Sequence, residues 1–353
     1  MRCLTGRPVR LVSILFSFLC LLTAAVRADL VWSAETGWRV EGGALSGLAG
    51  AEGRKALDLM NKARRNEEGG HLRSAIKAYN NVSKRYPNSI YAPEALYRVG
   101  QLELKRHGYV KAFDAYQQVL SRYPNTRRFN EIVGEQYRIA SALLDGARGR
   151  ILWGLLPGFR QREKSIEFFE TVVGNAPYSD YAPLSLMNVA RGYIYLKESA
   201  AAIDALDRLI NNYPHSVLTP DAYMKIAQTY SQLVDGPYYD QAATKEAITY
   251  FTDYMLLYPG DNNIGNAEQG LDGMKTMLAE SKIKIGDFYF YKRSNFKAAR
   301  VFYNEAITAY PESKIANSAK AKLAELEVVA AKNAPPAEGA APAPAKKKRF
   351  WFF

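Results

Sequence analysis

The sequence predicts an all-α fold, a right-handed superhelical solenoid of helix pairs ended by a capping C-terminal helix, and three observations carry that expectation. A phrase centred on proline recurs six times, at Pro87, Pro124, Pro177, Pro214, Pro259 and Pro311. Twelve residues before each proline stands a small side chain, and eight before it a large apolar one. Two residues after it comes Ser89, Thr126, Ser179, Ser216, Asp261 or Ser313, the residue types that satisfy free amides at a helix start.

From the amino terminus, Arg2, Arg7 and Arg10 precede an uncharged apolar stretch, Leu11 to Leu22, and then Thr23-Ala24-Ala25-Val26-Arg27-Ala28. Basic region, apolar core and small-residue site make residues 1–28 a cleaved export signal, with cleavage after Ala28. Cys20 follows the bulky Leu19, a poor context for lipidation. Residues 29–54 are read as an N-terminal extended or flexible segment. It opens with two tryptophans six apart, Trp32 and Trp38, about a plausible turn, and forms either a small hairpin or a strand that pairs with a partner. The spaced glycines from Gly42 to Gly53 read as a joint, and no Gly-Lys-Ser or Gly-Lys-Thr follows them, so a phosphate loop is not supported.

Residues 55–331 are read as the repeat body, about six helix pairs plus the cap. The prolines are 37, 53, 37, 45 and 52 residues apart, so a unit of 37 carries insertions of 16, 8 and 15. The small residues are Ala75, Ala112, Ser165, Ala202, Ala247 and Ala299; the large ones are Tyr79, Tyr116, Phe169, Leu206, Phe251 and Tyr303. A spacing of four places both on one helix face, so a neighbouring helix comes close at the first and is gripped by the second. Expected helices are 55–68 with 71–85, 89–106 with 109–122, 127–145 with 161–175, 180–197 with 199–212, 217–234 with 241–257, and 264–292 with 295–309, then 314–331. A lone pair of this size cannot bury its apolar face, so stacking supplies the core. Residues 332–353 are an Ala/Pro-rich linker ending in a basic and aromatic tail.

Composition narrows the chemistry. The formal charge is +12, but residues 1–28 hold four Arg and no acid, and Lys346 to Arg349 supply four more cations, so the body is nearly balanced and does not read as nucleic-acid-binding. Both cysteines, Cys3 and Cys20, lie in the export signal, which leaves the processed chain no thiol for a disulfide, metal site or nucleophile. The three histidines, His71, His107 and His215, are isolated in sequence. No hydrolase elbow, zinc-protease helix or dinucleotide fingerprint is present, and carboxylates such as Glu67 with Glu68, or Asp204 with Asp207, fit charged helix faces. Neither an enzymatic activity nor a cofactor, metal or small-molecule substrate is expected.

The small, then aromatic, then proline pattern resembles the tetratricopeptide repeat. The phrase Lys84-Arg85-Tyr86-Pro87-Asn88-Ser89 with Tyr91-Ala92-Pro93-Glu94-Ala95-Leu96-Tyr97, and Ala202-Ile203-Asp204 later, is similar to the BamD (YfiO) family of outer-membrane assembly factors. That resemblance covers about residues 55–325. It implies a periplasmic helical scaffold, peripheral to the outer membrane, whose partners are subunits of the β-barrel assembly machinery and unfolded outer-membrane proteins. The missing lipid-bearing cysteine departs from the family's mode of anchoring. The alternative is a periplasmic organiser of envelope or cell-wall machinery.

Candidate binding residues follow from the first helices. Positions eleven and fourteen after the proline are polar in four successive units: Arg98 and Gln101, Glu135 and Arg138, Asn188 and Arg191, Lys225 and Gln228. This ribbon suits the backbone and carboxylate of an extended peptide, or is a plainly solvated face. The 16-residue insertion carries Trp153, Leu155, Leu156 and Phe159 between arginines, which suits a membrane interface, a partner's groove or a cap over a gap in the stack. In the tail, Lys346, Lys347, Lys348 and Arg349 precede Phe350, Trp351, Phe352 and Phe353. Four cations and four aromatics combine attraction to anionic lipid with ring insertion, or dock in a partner's groove.

Overall fold

A computed structural model describes residues 29–41, 51–151 and 156–333. The export signal, residues 42–50, Trp153, Leu155 and the tail from 334 onward lie outside the described residues.

The chain divides into two compact units, Met1–Gly192 and Tyr193–Phe353. The first holds a hairpin of β1 (Asp29–Ser33) and β2 (Gly37–Glu41), helices α1 (Ala51–Glu68), α2 (Leu72–Arg85), α3 (Tyr91–Lys105), α4 (Tyr109–Arg122) and α5 (Phe129–Leu144), a second hairpin of β3 (Arg148–Ile151) and β4 (Leu156–Arg160), then α6 (Arg162–Asn175) and most of α7 (Tyr181–Leu196). The second holds α8 (Ser199–Asn212), α9 (Thr219–Gln232), α10 (Ala242–Leu257), α11 (Ile264–Asp287) with a π turn at Phe288–Lys292, α12 (Phe296–Ala309) and α13 (Lys314–Asn333). The fold is all-α with two small hairpins, a tetratricopeptide-type solenoid in which consecutive helices pack on one another from α1 to α6 in the first unit and from α8 to α13 in the second. Alternate helices also touch: α1 with α3, α9 with α11 and α11 with α13. Within each unit the first helices of successive pairs therefore form a continuous row. Residues 51–54, read from sequence as part of the flexible segment, instead begin α1, so Gly53 is helical.

The small and large positions are the hinge of the packing. All twelve are 2% exposed or less. Tyr116 of α4 lies flat against Gly100 of α3, where a Cβ would stand 2.7 Å from the ring Cζ. Phe251 of α10 does the same to Gly270 of α11, at 2.8 Å from Cε1. Burying one such ring stabilises by roughly 2 kcal/mol, so the contact repeats because each pair needs it.

Each proline occupies the second position of a four-residue turn. The Tyr86 carbonyl accepts from the Ser89 amide at 3.0 Å, and the same closure recurs from Thr126 to Tyr123 (3.0 Å), Ser179 to Ala176 (3.1 Å), Ser216 to Tyr213 (3.0 Å), Asp261 to Tyr258 (3.1 Å) and Ser313 to Tyr310 (3.3 Å). The preceding residue is pushed out of helical geometry by the ring, with Tyr86 at φ −132° and ψ 58°. The sequence reading of these side chains as acceptors for free amides at a helix start holds at Thr126, Ser216 and Asp261, which accept from the amides of Arg128 (3.4 Å), Leu218 (3.3 Å) and Asn263 (2.8 Å), and is corrected at Ser89 and Ser179. Ser89, Ser179 and Ser313 donate to the same carbonyls at 2.8, 2.8 and 2.7 Å, which closes the turn twice over. Only Ser313 also accepts from a helix amide three residues on, that of Ala316 at 3.0 Å. The opposite turns, between first and second helix, contain a left-handed residue: Gly70, His107, Gly146, Lys197, Gly236 and Ser294.

The glycine contacts make a sharp prediction. Gly270→Ala forces a methyl into the buried Phe251 ring and is expected to cost about 1–3 kcal/mol in urea denaturation. Gly273→Ala, on the same helix with nothing within 4 Å, is expected to be neutral or to stabilise by up to about 1 kcal/mol. Equal effects at the two positions contradict the packing described.

Candidate functional site

In the first unit the polar ribbon on the first helices is present, and its members are bound to one another. Arg98 pairs with Glu94 (3.1 Å) and donates to Gln101 (3.1 Å), while the Gln101 amide donates to the Tyr97 hydroxyl (2.7 Å). Arg128, the residue just before α5, joins this group, clamping Glu94 (2.9 Å) and Glu131 (2.8 Å). Burial opposes ionisation of Glu131, but the Tyr97 hydroxyl and Arg128 outweigh it and hold the carboxyl below the usual range. This clamp is intact above the ordinary carboxylate range and weakens as pH falls through the depressed value. Further along, Arg138 pairs with Glu135, Arg191 reaches Asp145 (3.0 Å), and Asn188 donates to the Tyr137 hydroxyl (3.0 Å). The ribbon is thus a mixed-charge surface with acids interleaved, not a cationic stripe.

Two features of this unit are settled only by the fold. The N-terminal segment adopts the hairpin of the two alternatives, with Trp32 paired to Trp38 and ring centroids 5.6 Å apart. It packs on α1, where the Trp38 amide donates to Asn61 (3.0 Å) and the Trp38 side chain is 3% exposed. Gly37 meets this helix too closely for a side chain and has φ +74°. Arg64 lies over the Trp32 ring (4.6 Å) and Arg98 over Trp38 (5.4 Å), so the hairpin covers the first residue of the expected ribbon. Deeper in, the fully buried Gln136 of α5 donates to Gln117 of α4 (2.8 Å), and Asn175 of α6 donates to both (2.7 and 3.0 Å). This amide triad ties three helices through the core.

In the second unit the first-helix row opens into a cleft of about 380 Å³ between α9 and α11. Gln228, Ser231 and Gln232 line one wall, Asn266, Gln269, Gly270, Gly273 and Met274 the other, and Phe251 the floor. Gln228 and Lys225 of the expected ribbon are exposed here. The exposed lining is mainly apolar, from Phe251, Met274 and the glycine-bearing wall, which lets a passing chain approach closely, and four amide side chains at its borders offer donors and acceptors to a main chain. The glycines Gly265, Gly270 and Gly273 were visible in sequence, but which of them faces the neighbouring helix depends on stacking.

The 16-residue insertion forms the β3–β4 hairpin, paired from Arg148↔Arg160 to Ile151↔Leu156 with a bulge. Phe159 is 85% exposed on it. At its base, Val110, Arg160, Gln161, Arg162, Glu163 and Lys164 surround a second cleft of about 440 Å³. Trp153, Leu155 and the tail residues 346–353 lie outside the described residues. Among the described residues no group of three His, Cys, Asp or Glu side chains is placed to hold a metal, and no helix is long and apolar enough to cross a membrane.

Comparison with known proteins follows this geometry. Residues 160–334 match the family model YfiO, described as an outer membrane lipoprotein, and residues 94–126 match a tetratricopeptide repeat model. Over residues 160–334 the chain is similar to the YfiO family, and its repeats are of the tetratricopeptide type. The YfiO-matched region holds the whole described second unit, the cleft included. Both families are non-catalytic protein-interaction scaffolds. No curated protein matches the chain. Similar solved structures include a tetratricopeptide repeat protein from Parabacteroides merdae (14% identity, 78% of this chain and 100% of that one, TM-score 0.29) and MamA from Desulfovibrio magneticus (19%, 60% and 99%, TM-score 0.30). Another is the C-terminal part of a repeat protein from Cytophaga hutchinsonii (15%, 73% and 85%, TM-score 0.32).

The hairpin's attachment is testable apart from the YfiO match. Trp38→Ala removes its main anchor and is expected to cost about 3 kcal/mol locally, which limited proteolysis reads as rapid cleavage before α1. Cleavage as slow as in the parent contradicts the docking.

Proposed function

We propose that this chain is a periplasmic, protein-binding scaffold of the cell envelope, resembling BamD, that holds extended segments of partner polypeptides along its first-helix row during assembly of outer-membrane β-barrels. Its partners on this reading are subunits of the assembly machinery and unfolded barrel proteins, and no chemistry is performed on them. The observation that carries the reading is the cleft between α9 and α11, mainly apolar, glycine-walled and bordered by four amide side chains, inside the YfiO-matched region. An extended strand presents main-chain donors and acceptors at regular spacing, which amide side chains satisfy without demanding a particular sequence. That suits a client defined by its extended state.

The export signal supports delivery to the periplasm, and the tail residues Lys346 to Phe353 supply attraction to an anionic membrane in place of a lipid. The Arg98 end of the ribbon is covered by the N-terminal hairpin, which leaves the cleft as the better docking place.

Two measurements check this. Gly273→Leu fills the cleft from an open position, and calorimetry with a peptide copied from the C-terminal strand of an outer-membrane barrel is expected to show at least about tenfold weaker binding, with thermal stability retained. Unchanged affinity removes the cleft from the account. Deleting residues 346–353 is expected to move most of the protein from the membrane to the soluble fraction of the envelope; an undiminished membrane fraction contradicts the tail's role.

A further inference from the structure

We propose that the second unit carries a second membrane-contact surface, separate from the tail: the edge formed by its first-to-second helix turns, which binds an anionic lipid surface. Successive helices are antiparallel, so all first-to-second turns of one unit lie on one edge. The 8- and 15-residue insertions of this unit both fall at that edge, the first between α9 and α10, the second as the extension of α11 through its π turn. Insertions gathered on one face of a repeat stack mark a surface used for binding.

Both insertions present aromatic rings beside cations. Tyr238 and Tyr239 are 73% and 64% exposed, and Phe288 and Tyr291 are exposed on the π turn, whose Phe290 is buried and pins it. The Lys284 ammonium lies over Tyr238 (5.3 Å) and Arg293 over Phe288 (5.4 Å), which joins the two insertions into one strip. The tyrosine loop is built rather than loose. The buried Gln241 donates to the carbonyls of Gly236 and Tyr239, both at 2.9 Å, and accepts from Thr244 at 2.9 Å. Rings held outward in this way insert into a headgroup layer without a further ordering cost.

Charge and chain direction decide the occupant. Lys284, Lys292, Arg293 and Lys297 are exposed on the strip against Asp235 and Asp240 of the loop, whereas Asp287 is engaged by Lys322 (2.8 Å) and Tyr303 (2.8 Å), and Glu325 by Tyr291 (3.1 Å). The Tyr291–Glu325 bond sets α13 beside the π turn, and α13 runs on to Asn333, about 12 Å past that level. The last described helix therefore ends at this same edge, and the sequence that follows it closes on four cations and four aromatics, Lys346 to Phe353. Strip and tail thus share one chemistry, aromatic and cationic. A flat anionic bilayer engages both at once, the rings at headgroup depth and the cations with lipid phosphate.

The test uses the full processed chain and the chain lacking residues 346–353, each with and without two changes: Tyr238→Ser with Tyr239→Ser, and Lys292→Glu with Arg293→Glu. Sedimentation with vesicles of phosphatidylglycerol and phosphatidylethanolamine is expected to show residual, salt-sensitive binding by the tail-deleted chain, weakened on the order of tenfold or more by either pair. Vesicles of phosphatidylcholine alone are expected to bind poorly. Melting temperatures matching the parent confirm that exposed positions were changed without loss of fold. The proposal is overturned if both pairs bind anionic vesicles as the parent does. It is equally overturned if a photoreactive residue at Tyr239 in native envelopes captures protein and no lipid, which identifies an acidic partner instead. Failure of the strip leaves the cleft reading standing, since peptide binding is measured without membranes.

Discussion

In every helix pair a fully buried small residue faces inward one turn from a fully buried large one, and the stack exists because of that contact. Two helices of some fifteen residues have nowhere to hide an apolar stripe except against the next pair. Tyr116 on Gly100 and Phe251 on Gly270 show how tight the approach is: the glycine is required because the ring already occupies the space of a methyl group. Between these contacts, the proline turns stop each second helix and aim the chain at the next pair. At Ser89, Ser179 and Ser313 the amide and hydroxyl both bond to one carbonyl, which closes the turn twice over.

Many polar groups of this interior are amides and hydroxyls bonded to one another or to backbone carbonyls, as in the Gln117–Gln136–Asn175 triad and at Ser165 and Thr229, and its phenols are pushed to higher pKa by burial, as at Tyr79 and Tyr303. The two proposed binding surfaces lie where stacking does not use the chain. One is the outward side of the first-helix row, where the α9–α11 cleft lies. The other is the turn edge, where added length is tolerated because closing a longer surface loop costs little.

The periodic part of this architecture was legible in the sequence. Small and large residues four apart, then proline, specify helix face, helix end and pair spacing together, and the helices begin and end close to where that pattern places them. What was not legible depends on distance between elements. Ser89 reads as a cap in one dimension, yet in the folded turn its hydroxyl is nearer the Tyr86 carbonyl than any helix amide. The ribbon residues were located, but the acids that hold Arg98 and Arg191, Glu94 and Asp145, come from another turn and another element, and Arg128, which clamps Glu94 and Glu131, was not foreseen. Trp38 gave no sign that it would cover Arg98, because the two are far apart in sequence and meet only through α1 and α3.

The central claim is that the first-helix row of the YfiO-matched unit holds another polypeptide. Site-specific photocrosslinking in the native envelope tests it most directly, with the reactive group placed at Gln269 in the cleft and, for comparison, at the exposed Thr249 on the second helix α10. The account requires polypeptide adducts from Gln269, including outer-membrane barrel proteins, and few from Thr249. Adducts from Thr249 with none from Gln269 would place the binding surface on the other side of the stack and contradict the account.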